Sequence, residues 1–128
     1  MDDGNCKYNK RNVGNMGENL ATDYLKKKGH VLLERNYRNR FGEIDIITRD
    51  GDTLVFSEVK YRSNNAHGNP LEAVNDAKKR KISRVAAYYC TGHGLWERMN
   101  VRFDVIAVWG DGNIEHVENA FEFAGYRI

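Results

Sequence analysis

Asp45, Glu58 and Lys60 are charged residues set into two runs, 43–48 and 53–61, that otherwise read as β-strands. The Asp50-Gly51 pair between the runs favours the positive φ angles of a tight hairpin turn. Charges are seldom wanted on the inner face of a purely structural hairpin. With a two-residue loop at Asp50-Gly51, position 47 faces 54, 45 faces 56 and 43 faces 58. Side chains alternate along a strand, which puts Glu43, Asp45, Leu54, Phe56, Glu58 and Lys60 on one face. Asp45 and Glu58 are then diagonal neighbours, roughly 7–8 Å apart at the backbone. Two carboxylates so placed can share one divalent cation at roughly 2.0–2.6 Å per oxygen. Lys60, on the same face, can orient a water or offset developing negative charge. Together these suit metal-assisted chemistry on a bound water. The bland alternative is a hairpin with a solvated charged face, against which Leu54 and Phe56 argue. The expectation depends on loop parity, because a loop of odd length moves one strand's set to the other face.

Asp45, followed on the next strand by Glu58-Val59-Lys60, resembles the PD-(D/E)XK nuclease core, with Ile44 where some members carry proline. The likeness extends through Gly17-Glu18, Ala21, Tyr24-Leu25, Gly29, Gly42-Glu43-Ile44-Asp45, Phe56-Ser57-Glu58-Val59-Lys60 and Arg102-Phe103-Asp104-Val105. In that order, over residues 14–121, the chain resembles the YraN family of small bacterial endonuclease-like proteins, similar in pattern to archaeal Holliday junction resolvases. Ser57 stands where the pattern has an aliphatic residue. The resemblance implies an α/β, single-domain restriction-endonuclease-like fold, a mixed β-sheet flanked by helices. It implies Mg2+ or Mn2+ held by Asp45 and Glu58, with Glu18 an auxiliary ligand to metal or water and Lys60 catalytic. The implied substrate is branched or otherwise structured DNA in repair or recombination. A homodimer enters by analogy alone, because junction cutting addresses two equivalent strands.

The elements that must position these residues follow from periodicity. A helix is expected from Asn15 to Lys28, stopped by Gly29, with Gly17, Leu20, Ala21, Tyr24 and Leu25 as its buried arc. Glu18 falls at the edge of that arc, either complementing the helix dipole or reaching the hairpin site. Residues 31–37 read as the first strand and 38–40 as a polar connection, where Arg38 and Arg40 either make a surface turn or contact phosphate. Residues 61–68 form a polar loop at the mouth of the site and bring Arg62 there. Tyr61 either packs on the sheet or stacks on a base. Asn69-Pro70 opens a helix over 71–74, and Asn75-Asp76 restarts it toward Thr91-Gly92. Lys78 precedes Ile82 by four and Val85 by seven, so it shares their face. It either snorkels along the core or reaches the scissile phosphate; the resembling nucleases, with a polar residue on this helix, favour the second. Residues 101–109 read as a buried strand, with Asp104 bonded internally to backbone or arginine, and 114–118 as an edge strand. Phe121 and Phe123 cover the sheet's end. No HExxH or paired histidines suggest zinc.

A chain of 128 residues forms one domain, expected over 13–128 behind a polar mobile tail at 1–12. It shows no run of roughly 20 apolar residues and no apolar signal core, so neither a membrane span nor export is expected. Cys6 and Cys90 form no framework, which fits a reducing, cytoplasmic setting. The net charge of +2 predicts no polyanion partner, but its distribution is uneven. Lys26-Lys27-Lys28, Arg35, Arg38, Arg40, Lys78-Lys79-Arg80-Lys81 and Arg84 all precede an acidic stretch, 104–122, that holds no Lys or Arg. Such segregation suits one phosphate-facing surface, with Lys78, Lys81, Arg38, Arg40 and Arg62 as the expected nucleic-acid contacts. Each run alone is equally a solvated face. The alternative to an endonuclease is a non-catalytic nucleic-acid-binding module that retains the nuclease fold. A phosphoesterase of small nucleotides is disfavoured, because no phosphate loop is visible.

Overall fold

Isoleucine, valine and aromatic residues crowd the strand segments, and their burial on both faces sets the layering. A computed structural model describes residues 10–63 and 74–124. The elements are α1 (Lys10–Lys27), β1 (Val31–Asn39), β2 (Gly42–Asp50), β3 (Thr53–Arg62), α2 (Asp76–Gly92), β4 (Asn100–Trp109) and β5 (Ile114–Phe121). Five strands form one sheet in the order β1-β2-β3-β4-β5. Only β3 and β4 run parallel, with Glu58 opposite Val105 and Lys60 opposite Ala107. That parallel pair requires a crossover, which α2 supplies. The result is an α/β domain with a mixed sheet flanked by two helices, the architecture of the restriction-endonuclease-like fold.

Each face of the sheet carries its own core. Ile44, Ile47, Leu54, Phe56, Phe103, Val105 and Phe121 pack with Ile82, Val85, Ala86 and Tyr89 of α2. Ile46, Ile106 and Val108 pack with Ala21 and Leu25 of α1. A fully buried leucine such as Leu25 contributes about 1.5–3 kcal/mol. Phe103 stacks on Phe121, centroids 5.0 Å apart, so the last strand seals the end of the sheet as expected.

The first helix begins at Lys10, earlier than Asn15, so residues 10–12 of the tail expected over 1–12 are helical, and residues 1–9 lie outside the described residues. Its sheet-facing side is also rotated from the expected arc. Leu20 is 41% exposed, whereas Thr22 is buried. The Thr22 hydroxyl donates to the Glu18 carbonyl at 2.7 Å, which satisfies the polar atom that burial would otherwise penalise. Glu18, Ala21, Thr22 and Leu25 therefore form an i, i+3, i+4, i+7 row. Glu18 stands inside the sheet-facing stripe.

Strand β1 continues to Asn39, so Arg38 and Asn39 are strand residues and the turn is Arg40-Phe41. Strand β3 likewise extends to Arg62, past the point where a loop was expected. The expected loop residues 64–68 and the Asn69-Pro70 helix start lie outside the described residues. Asn75 caps α2, its side chain accepting from the Lys78 N–H at 2.8 Å.

The β2–β3 hairpin pairs Asp50 with Thr53, Arg49 with Leu54, Ile47 with Phe56 and Ile46 with Ser57. The loop is thus Gly51-Asp52, one residue later than expected. Gly51, at φ +64°, takes the first loop position and leaves Asp50 in the strand. Register shifts by two, which preserves parity, so Leu54, Phe56, Glu58 and Lys60 keep their common face. Asp50 is then held near His30 Nε2 at 3.6 Å and Arg102 Nη1 at 3.7 Å. Asp104 is bonded internally, as expected. It accepts from Arg102 Nε at 2.9 Å and the Asn119 N–H at 3.0 Å, and meets His116 Nε2 at 2.7 Å. Burial alone would raise its pKa, but the bonds to His116 and Arg102 hold it below the ordinary carboxylate value.

Candidate active site

Alternation along β2 breaks at one residue. Ile47 faces α2, Ile46 faces α1, and Ile44 faces α2 again, so the irregularity falls at Asp45. The β2–β3 ladder ends beside it, at Ile46–Ser57, and the two strands part. An acid at the mouth of that divergence can turn toward the neighbouring strand. The Val59 N–H donates to Asp45 Oδ2 at 2.8 Å, which fixes the carboxylate over β3 beside Glu58.

Glu58 is buried to 7% exposure by the cores on either side of it in sequence and space. Burial of an acid demands compensation. Two ammonium groups supply it: Lys60 Nζ lies 3.2 Å and Lys78 Nζ 3.3 Å from Glu58 Oε2. Lys60 belongs to the same strand face, whereas Lys78 arrives from the first turn of α2. Four of the expected site residues, Asp45, Glu58, Lys60 and Lys78, therefore converge.

Asp45 registers the crowding. Burial, and after it the Glu58 carboxylate, push its pKa up to about 7, with smaller contributions from Glu18 and Glu43 and opposition from the Val59 N–H. Both ammonium groups go to Glu58, and among the described residues none pairs with Asp45. The hard oxygens of the two acids suit Mg2+ or Mn2+, ions bound through one or two carboxylates while keeping several waters. Among the described residues no three His, Cys, Asp or Glu side chains are grouped to enclose an ion. Asp45 and Glu58 form an open carboxylate pair rather than a closed cage.

The other expected residues stand around this centre. Glu18, from α1, pairs with Arg35 Nη2 at 3.5 Å while remaining within electrostatic reach of Asp45. Arg35 is expected only as one of the basic residues of a phosphate-facing surface; its position opposite Ile46 on the α1 face directs it to Glu18 instead. Arg38 pairs with Glu43 at 2.9 Å and is 76% exposed, so this pair lies at the rim. The expected opposition of Glu43 to Glu58 does not form, because the register shift and the early end of the ladder separate them. Arg62 ends β3 opposite Trp109. Tyr61 is 46% exposed, and its ring lies near Gly17 of α1. Lys81 lines a cleft with Lys60, Asn75, Ala77 and Lys78. Arg40 lies over the rings of Phe41 and Tyr88 rather than in that cleft.

The model of the uncharacterised protein family UPF0102 matches residues 17–108. The chain belongs to this family. A UPF0102 protein of Thermodesulfovibrio yellowstonii is 49% identical over 109 residues, covering 85% of this chain and 95% of the relative. One of Alkaliphilus oremlandii is 49% identical over 115 residues, covering 87% and 98%. One of Syntrophus aciditrophicus is 47% identical over 115 residues, covering 88% and 90%. The resemblance drawn from the Gly42–Asp45 and Phe56–Lys60 residues pointed to the same family. The UPF0102 match runs from Gly17 to Val108 and so contains Glu18, Asp45, Glu58, Lys60 and Lys78. No helix among the described residues is long and apolar enough to cross a membrane.

Proposed function

We propose that this UPF0102 protein is a divalent-metal-dependent endonuclease acting on DNA, with branched or otherwise structured DNA as its substrate. One observation carries the reading: an acid whose pKa is pushed up to about 7 by burial and a neighbouring carboxylate sits beside that carboxylate and its two lysines. Structural ion pairs usually match each acid with a cation; here both lysines go to Glu58, and the neighbouring Asp45 is kept buried beside it on a backbone N–H, at a cost to the fold. Mg2+ or Mn2+ bound by Asp45 and Glu58 would neutralise phosphate charge and acidify a bound water. The chain's own groups do the rest. The Val59 N–H fixes the orientation of Asp45, so little reorganisation is needed on binding. Lys60 orients the attacking water and faces the negative charge that builds on the phosphate. Lys78, from α2, offsets charge from a second element, and Glu18 holds water through its α1 position. Incubation with linear, single-stranded, flapped and four-way DNA, with and without Mn2+, tests the reading. Metal-dependent cleavage, lost in Asp45→Asn and Glu58→Gln, is expected; equal activity in wild type and both variants would refute it.

A second reading has its own observation in favour. Glu58 Oε2 already has two ammonium partners, which suits a binding module that keeps the fold without turnover. Calorimetry separates the two, since a binding module takes up no Mg2+ at millimolar concentration.

A further inference from the structure

The cleft beside Lys60 and Lys78 does not end there. It shares Ala77 and Lys81 with a second cleft, lined by Phe41, Ala77, Arg80, Lys81 and Arg84. One wall is the outer side of α2; the other is the Arg40-Phe41 turn between β1 and β2. Gly42, at φ +144°, brings that turn close, and a Cβ there would meet Lys81 Cγ at 3.2 Å. The stem of Lys81 is thus laid against the turn.

Aromatic rings hold the far end. The Arg84 guanidinium lies 4.8 Å and the Arg40 guanidinium 5.0 Å from the Phe41 centroid, and Arg40 also lies 6.0 Å from Tyr88. Phe41 and Tyr88 meet edge to face at 5.8 Å. Stacking on a ring restrains a guanidinium while leaving its N–H edge free to bond an anion. Among the described residues, no carboxylate pairs with Arg40, Arg80, Lys81 or Arg84, although most other clustered cations have one. Four cations that have no counter-charge among the described residues form a surface that repels itself until an anion arrives. From Ala77 to Tyr88 the helix is about 16 Å long at 1.5 Å per residue. One strand of DNA at roughly 3.4 Å per nucleotide places about five phosphates along that length.

We propose that the β1–β2 turn and the outer face of α2 form a track for the sugar–phosphate backbone of a DNA strand leaving the candidate active site, with Arg40 and Arg84 presented by the Phe41 ring. The track takes its starting point from the nuclease reading. Its test does not, because binding is measured in EDTA, where no cleavage occurs.

The experiment is fluorescence anisotropy of the full chain with a short fluorescein-labelled DNA duplex, over a range of salt. The triple variant Arg80→Ala/Lys81→Ala/Arg84→Ala is compared with Lys26→Ala/Lys27→Ala, which removes exposed charges at the end of α1 on the other face. The groove variant should bind at least about tenfold more weakly, and its log K against log salt slope should fall by about 2 to 3. The α1 variant should stay within about twofold. Phe41→Leu, which keeps an apolar contact and loses the ring, should cost about two- to fivefold with an unchanged melting temperature. Equal losses in the groove and α1 variants, an unchanged salt slope, no DNA binding by wild type, or tighter binding of the matching RNA duplex would each overturn the track. Strong binding that depends on the groove, without cleavage in Mn2+, would uphold the track while removing the nuclease reading.

Discussion

The Lys78 ammonium reaches Glu58 Oε2 at 3.3 Å, bringing α2 to the same oxygen that Lys60 approaches along β3. The contact spans two elements, so the position of α2 and the charge state of the site are coupled. Removing one lysine leaves Glu58 a partner; removing both leaves a buried charge alone.

The double variant Lys60→Ala/Lys78→Ala should therefore lose more stability than its single variants together. A buried ion stripped of its partners costs about 3–5 kcal/mol, and the partial exposure of Lys78 puts this case at the low end. Urea denaturation of the four proteins measures the coupling. Additive losses would show that the two ammonium groups do not share Glu58.

Asp45 sets a pH dependence of definite sign. Its pKa rises from 3.8 to about 7 in the fold, so the native chain holds a proton that the unfolded chain has released. Its contribution is full below pH 4 and is lost as pH rises toward 7, on the order of a few kcal/mol. Asp45→Asn has no such proton to lose. Thermal melts should show the variant gaining on wild type between pH 4 and pH 8, and a constant gap across that range would contradict the assignment. Added Mg2+ at pH 8 should raise the wild-type melting temperature and leave that of Asp45→Asn unmoved.

Ser57 is buried in the sheet, and its Oγ has no hydrogen-bond partner in the structure. A buried hydroxyl without a partner costs about 1–3 kcal/mol. Ser57→Val, which also suits a strand, should raise stability by about 1 kcal/mol without changing DNA binding. A destabilised Ser57→Val would mean that the hydroxyl is satisfied in solution.

Much of this architecture is legible in residue order. The alternation of Leu54, Phe56, Glu58 and Lys60 places the two charges on the face of two core residues, and a register shift of two does not disturb that. The spacing of Lys78, Ile82 and Val85 likewise sets Lys78 toward the sheet. Asp45 is harder, because periodicity assumes regular alternation and the strand breaks it at that residue. Nothing local announces such a break, which comes from β2 and β3 parting beyond Ile46. The rotation of α1 that carries Glu18 inward depends on Thr22 satisfying its hydroxyl within the helix, a choice that composition does not specify. The Phe41–Arg84 contact joins residues 43 apart in sequence (84 − 41). No pattern within either segment encodes their meeting.

The most direct test of the site is the initial rate of four-way DNA cleavage in Mn2+ by wild type and by Lys60→Ala, with folding of both verified by melting. Metal-dependent cleavage by wild type and a loss of about 100- to 1000-fold in Lys60→Ala are predicted, the scale for removing a group that stabilises charge in the transition state. Cleavage by Lys60→Ala at the wild-type rate would contradict the account.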